Sequence, residues 1–229
     1  MKSITRRLLS IVSLLHINCR ISNCQSIYNN TLLQYNTLHS SLLPFTSRTM
    51  ASSTTATFNL SLLSTKEINQ RYQQCYLEHH TSDDWVSQLD LSHINVDKTN
   101  PVKVLILYGS LRATSKSRLC AYEFARILYR LNCDVRVYNP SELPVRSDTH
   151  DNHPAVAELR QLSEWSDAHI WVSPEQHGAI TGVMKNQIDH IPLSIGSVRP
   201  TQGKCLAVAQ VCYSNILYFV DITATVHHV

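Results

Sequence analysis

Residues 101–212 predict an open α/β sheet with helices on both faces, and three observations carry that expectation. Strand-like and helix-like stretches alternate along this part of the chain until four strands have passed. The first strand-like stretch is a near-continuous run of β-branched and aliphatic residues, the signature of a parallel strand buried on both faces. It is followed at once by a loop of small and hydroxyl-bearing residues that opens a helix.

Asn100-Pro101 marks where the pattern begins, because the residue before proline is pushed into an extended conformation. Residues 102–108 (VKVLILY) are then the first strand, and 109–116 a loop. A helix is predicted over 117–131, where Ala121, Phe124, Ala125, Leu128 and Leu131 fall on one face. Residues 134–138 (DVRVY) form the second strand, 140–154 an irregular stretch and 155–165 the second helix. Residues 168–173 (AHIWVS) are the third strand, 181–191 the third helix and 205–212 (CLAVAQVC) the fourth strand. Right-handed crossovers bring the C-terminal ends of such strands to one edge, and that edge is where open α/β sheets bind ligands. Upstream, residues 50–100 read as a polar arm with one short helix near 65–77, opened by a capping box between Ser64 and Glu67.

Composition excludes several classes. The chain has 229 residues, 43% of them hydrophobic, enough for a sizeable core. No Asp or Glu precedes Glu67, whereas Lys2, Arg6, Arg7, Arg20, Arg48 and Lys66 do, so the net charge of +3 belongs to the N-terminal segment and no nucleic-acid partner is indicated. The seven cysteines form no Cys-x-x-Cys pair, which argues for scattered reduced thiols over a disulfide framework. The apolar stretch at 8–17 is far short of the ~20 residues a membrane span needs. Residues 1–49 are rich in Arg, Ser and Asn and free of acid, like a mitochondrial or plastid transit peptide. Met50-Ala51-Ser52 offers the competing reading of a second start, with 1–49 an over-extension and the protein cytoplasmic.

Residues 109–118 (GSLRATSKSR) carry the clearest chemistry. They offer hydroxyls at Ser110, Thr114, Ser115 and Ser117, the guanidinium groups of Arg112 and Arg118, and the N-terminus of a helix, whose unpaired N–H groups and partial positive charge attract anions. An Arg fork adds bidentate recognition of phosphate oxygens. The spacing fits neither the Walker loop nor the Gly-x-Gly-x-x-Gly turn, and a hydroxyl-rich loop with few glycines suits a terminal monophosphate. The alternative is that Gly109 makes the turn and Ser117 caps the helix, with both arginines solvated. A second loop, residues 173–182 (SPEQHGAITG), follows the third strand. Its Glu175 and His177 admit three readings: an acid/base pair, two metal ligands, or a polar surface turn. Two side chains without a third ligand are weak evidence for a metal.

Residues 108–112 through Ser117 and Arg118 resemble the Gly-Ser-x-Arg-x-x-Ser-x-Ser-Arg element of the NADPH-dependent FMN reductase family, and within it the arsenical-resistance branch of ArsH type. Supporting blocks are residues 162–166 (LSEWS), 173–182, 185–189 (KNQID) and 199–204 (RPTQGK), in that order, so that the resemblance covers about residues 64–212. It implies a flavodoxin-like sheet ordered 2-1-3-4-5 that binds FMN where the strand order reverses. Carried over by position, Ser110, Arg112, Ser115 and Ser117 would hold the FMN phosphate with help from Arg118. Pro174, Glu175, Gln176, His177 and Gly178 would line the isoalloxazine ring, mostly through backbone and shape, with no obligate catalytic side chain and no metal. NADPH would reduce the flavin at a reacting distance of roughly 3–3.5 Å, and a small-molecule acceptor (a quinone, an azo dye, oxygen or an organoarsenical) would take the electrons. Relatives are homo-oligomers.

The sequence departs from the family in two places. Residues 213–229 do not match the glycine-rich loop, helix and fifth strand that follow the fourth strand in relatives, so the sheet is expected to stop short, apart from a substitute edge strand within 216–226. On that view the chain is either an active reductase or a non-catalytic form of one. His190 stands where relatives commonly carry Trp, from which a weaker grip on the cofactor is expected.

Overall fold

The computed structural model describes residues 58–78, 85–92, 99–193, 200–212 and 217–220. The leader-like segment 1–49 and most of the tail lie outside them. Two helical turns, α1 (Thr65–Ile68) and α2 (Gln74–Leu77), flank a π-helical turn at Asn69–Gln73, and α3 (Trp85–Gln88) follows. Then come β1 (Lys103–Tyr108), α4 (Lys116–Arg130), β2 (Asp134–Val137), α5 (Pro154–Trp165), β3 (Ala168–Gln176), β4 (Ala179–Ile180), α6 (Gly182–His190), β5 (Cys205–Val211) and β6 (Leu217–Val220).

The sheet order is β2-β1-β3-β5-β6, with β4 paired to β3 alone. β2, β1, β3 and β5 run parallel. This is the flavodoxin-like arrangement, with the order reversing between β1 and β3. Alternate residues of β1 serve opposite faces, as the period of two along a strand requires. Val104, Ile106 and Tyr108 pack with Ala121, Phe124, Ala125 and Leu128 of α4. Leu105 and Leu107 pack with Leu159 and Leu162 of α5 and Met184 of α6.

Two strands depart from the expectation. The third was predicted to end at Ser173, yet β3 runs on through Pro174, which lacks a ladder donor, to Gln176 and turns back as β4. Pro174 is tolerated there because the Val172 carbonyl already takes the Gly109 N–H (2.9 Å) at the end of β1. Two residues further on, the same side of β3 has no β1 residue left to pair. Beyond β5, the expectation of a sheet that stops short meets β6, an antiparallel edge strand with Val208 opposite Val220 and Val211 opposite Leu217.

The arm closes the other edge. Tyr76 Oη donates to the Val135 carbonyl (3.2 Å) and Gln73 Nε2 to Asp134 Oδ1 (3.2 Å), which lays the arm along β2. Covering an edge strand in this way removes a template for intermolecular pairing. Arg71 grips Glu158 of α5 with Nε to Oε1 (2.6 Å) and Nη2 to Oε2 (2.5 Å), while Tyr72 Oη donates to the same Oε1 (2.7 Å). Tyr72 belongs to one core cluster and Tyr76 to the other, so the arm reaches both faces of the sheet. The capping box read from Ser64 and Glu67 is present.

Candidate functional site

The site begins where β1 ends. Gly109 sits so tightly that a Cβ on it would lie 2.8 Å from Thr181 Oγ1 and 3.0 Å from both Met184 Cβ and Ser173 Oγ. After it the chain turns through residues 110–115 into α4, and Ser115 caps the helix by accepting the Arg118 N–H (3.1 Å). Ser117, offered as the cap in the alternative reading, lies one residue inside α4, where its hydroxyl meets that of Ser115 at 3.1 Å. Ser110, Ser115 and Ser117 are all buried, and Ser110 Oγ accepts the Arg112 N–H (3.3 Å). Arg112 itself is exposed. Arg118 Nη2 donates to the Ala113 carbonyl (2.5 Å), folding the guanidinium back over the loop.

This donor set fits a terminal phosphate. Three buried hydroxyls and the N-terminus of a 15-residue helix lie along residues 110–117, and Arg112 and Arg118 belong to the same stretch. No carboxylate occurs among residues 109–118 to oppose an anion.

The second loop is a β-hairpin. Glu175 pairs with Ile180 and Gln176 with Ala179, and the two turn residues His177 and Gly178 both have positive φ (55° and 73°). A two-residue turn with both φ values positive matches the right-handed twist of its strands, which explains glycine at one of the two positions. The last β1 residue, Tyr108, faces Val172. Pro174, Glu175 and Gln176 therefore extend past the end of β1, by about 13 Å at ~3.3 Å per residue. Residues 175–180 are all exposed. Glu175 Oε2 accepts a hydrogen bond from the thiol of Cys212 (2.8 Å), just beyond β5, and that bond pushes the thiol pKa up. Among the described residues no three His, Cys, Asp or Glu side chains gather into a metal cluster.

The phosphate loop and the hairpin meet at Thr181, which sequence reasoning did not single out. Its N–H donates to Ser173 Oγ (3.2 Å), its hydroxyl to the Gly109 carbonyl (2.6 Å), and its Oγ1 caps α6 by accepting the Met184 N–H (3.4 Å). Gln187, six residues further along on α6, donates to the Tyr108 carbonyl (3.0 Å). The capping role of Thr181 is visible in sequence as a hydroxyl residue opening a helix. The bond back to Gly109, 72 residues away, leaves no local signal. His190 lies fully buried at the end of α6, where Nε2 meets the Pro144 carbonyl (2.9 Å) and burial pushes its pKa down. It tethers the loop between β2 and α5.

A family profile described as NADPH-dependent FMN reductase matches residues 102–219, from just before β1 into β6. The NADPH-dependent FMN reductase ArsH of Shigella flexneri is 56% identical over 112 residues, which are 48% of this chain and 44% of that protein. The protein of the same description from Rhizobium meliloti is 58% identical over 113 residues, 49% of this chain and 47% of the other. The chain thus spans about half the length of the curated relatives it matches. Among solved structures, the flavoenzyme NAD(P)H:(acceptor) oxidoreductase FerB from Paracoccus denitrificans is similar at a TM-score of 0.40 and 25% identity, covering 48% of this chain and 60% of that one.

Proposed function

Since the chain belongs to the NADPH-dependent FMN reductase family, we propose that it is an FMN-dependent oxidoreductase of ArsH type, drawing on NADPH and serving a small-molecule electron acceptor. The observation that carries the reading is the acid-free loop of buried hydroxyls and two arginines at the reversal point of the sheet. When bound, FMN would supply the redox chemistry, taking a hydride equivalent from NADPH and passing electrons on. The rest falls to the protein's own groups. Ser110, Ser115 and Ser117 donate hydroxyl hydrogen bonds to the phosphate, and Arg112 and Arg118 neutralise its charge. Pro174, Glu175, Gln176, His177 and Gly178 supply a wall of mostly backbone character against the ring. Glu175 and His177 act there through shape and hydrogen bonding, with neither serving as an obligate proton carrier. In the proposed division, residues 101–212 form the flavin-binding unit and residues 50–100 the arm that braces it.

For the acceptor, quinones, oxygen and trivalent organoarsenicals are the proposed class. The purified full chain, reconstituted with FMN, is expected to oxidise NADPH in the presence of a quinone, and the same assay with a trivalent methylarsenical under oxygen ranks the acceptors. Retained flavin with no NADPH oxidation would mark the chain as a flavin carrier, and failure to retain FMN would overturn the reading. Among the described residues no helix is long and apolar enough to cross a membrane.

A further inference from the structure

The two consecutive carbonyls where β1 gives way to the phosphate loop are both held by α6. Tyr108 O accepts from Gln187 Nε2 (3.0 Å) and Gly109 O from Thr181 Oγ1 (2.6 Å). A trans peptide is planar, with its N–H directed opposite to its C=O. Fixing the Gly109 carbonyl on Thr181 therefore turns the Ser110 N–H away from α6, while the Gly109 N–H is already spent on the Val172 carbonyl (2.9 Å). The same threonine takes its own N–H to Ser173 Oγ (3.2 Å), at the root of the hairpin, and Ser173 Oγ donates to the Pro174 carbonyl (2.9 Å). All of this is sealed from water. Gln187 is 0% and Thr181 7% exposed. Among the described residues Gln187 Oε1 has no hydrogen-bond partner, while Nε2 donates both to the Tyr108 carbonyl and to the Val183 carbonyl of its own helix (3.0 Å each).

We infer that Thr181 and Gln187 are positioning residues for the cofactor. They set the direction of the first peptides of the phosphate loop, and through Thr181 they hold that loop in register with the hairpin proposed to line the flavin ring. The inference rests on the FMN reading for its ligand, whereas the clamp itself exists without one.

The test compares Thr181→Val, Thr181→Ser and Gln187→Met in the full chain. Hydrogen exchange in the cofactor-free protein is expected to speed up roughly tenfold in peptides covering residues 109–116 for Thr181→Val and Gln187→Met, the weight of about one buried hydrogen bond. Exchange in the core of β1 should stay unchanged, and Thr181→Ser should restore the wild-type rate. FMN affinity, read by quenching of flavin fluorescence, is expected to fall by roughly the same factor, with visible circular dichroism of the bound flavin altered in Thr181→Val and restored in Thr181→Ser. Gln187→Met leaves the Tyr108 carbonyl unpaired but also removes the orphaned acceptor, two opposed effects of similar size, so it should lose affinity with little change in melting temperature, which a merely structural residue would not do. It serves as the deciding variant if Thr181→Val fails to fold. Unchanged exchange in 109–116, or an affinity loss in Thr181→Ser equal to that in Thr181→Val, overturns the inference. A wild-type chain that binds no FMN overturns the functional reading, and the exchange experiment then still decides the clamp.

Discussion

Replacing Gly109 by Ala tests how the site is built, because one added carbon has nowhere to go. Its Cβ would meet Thr181 Oγ1 at 2.8 Å, Met184 Cβ at 3.0 Å and Ser173 Oγ at 3.0 Å. None of these is the loose end of a flexible side chain. Thr181 Oγ1 is held by its 2.6 Å bond to the Gly109 carbonyl, and Met184 is 1% exposed with its Cβ fixed to the α6 backbone. Overpacking of this kind costs about 1–3 kcal/mol, and displacement of Thr181 adds about 1 kcal/mol for the weakened hydrogen bond. A loss of about 2–4 kcal/mol is a large share of a typical stability of ~5–15 kcal/mol. The assay is urea unfolding with Gly182→Ala and Gly178→Ala as controls. Gly182 has nothing within 4 Å and a helical position, so alanine there should be neutral or stabilising by about 0.4–1 kcal/mol. Gly178 is equally open but has φ +73°, so alanine there should cost about 1–2 kcal/mol through backbone strain alone. If Gly109→Ala unfolds at the wild-type midpoint, or Gly182→Ala is as damaging, the close approach of α6 to the loop is wrong.

Further outcomes follow from ionisable side chains. Glu158→Gln should cost about 1–3 kcal/mol, less than a fully buried pair because the Arg71 side chain is 48% exposed, and should loosen the arm in limited proteolysis; an unchanged midpoint would mean the clamp contributes nothing. Burial, aided by Lys204, pushes the His169 imidazole down from 6.5 to about 4. The unfolded chain takes up that proton below its ordinary value while the folded one stays neutral. Its contribution is therefore complete above about pH 6.5 and declines as pH falls toward 4, by about 3 kcal/mol over the window. His169→Phe should flatten that slope in unfolding measured between pH 4 and 7, and an equal slope in both proteins would contradict the assignment. Glu175→Gln takes the carboxylate from the Cys212 thiol, so the thiol pKa should drop and alkylation at pH 8 should speed up; an unchanged rate would show that the 2.8 Å contact does not persist in solution.

Much of the frame was legible because it obeys local rules. The run 102–108 read as a doubly buried strand, and β1 has Val104, Leu105, Ile106 and Leu107 at 0% exposure. The helix predicted at 117–131 differs from α4 by one residue at each end, since Ser115 rather than Ser117 takes the capping bond. The hairpin was read as a loop, although β3 continues through Pro174, which has no ladder donor. What rescued the strand was the end of β1 beside it, a tertiary fact. The arm was read as one short helix, but its hold on α5 depends on Arg71 meeting Glu158 across 87 residues. At the site, the phosphate loop was visible as composition, and Ser110, Ser115 and Ser117 lie buried along it. Thr181 and Gln187 were not singled out, because their partners are backbone carbonyls of a distant strand, and no side-chain pattern encodes a carbonyl.

The loop as a phosphate cradle is tested most directly by FMN titration of the full chain against its Arg112→Ala and Lys116→Ala variants. Tight binding by the wild type, a loss of roughly tenfold or more on removing the Arg112 fork and a much smaller loss at Lys116 is the predicted result. No FMN binding by the wild type, or equal losses at both positions, would contradict it.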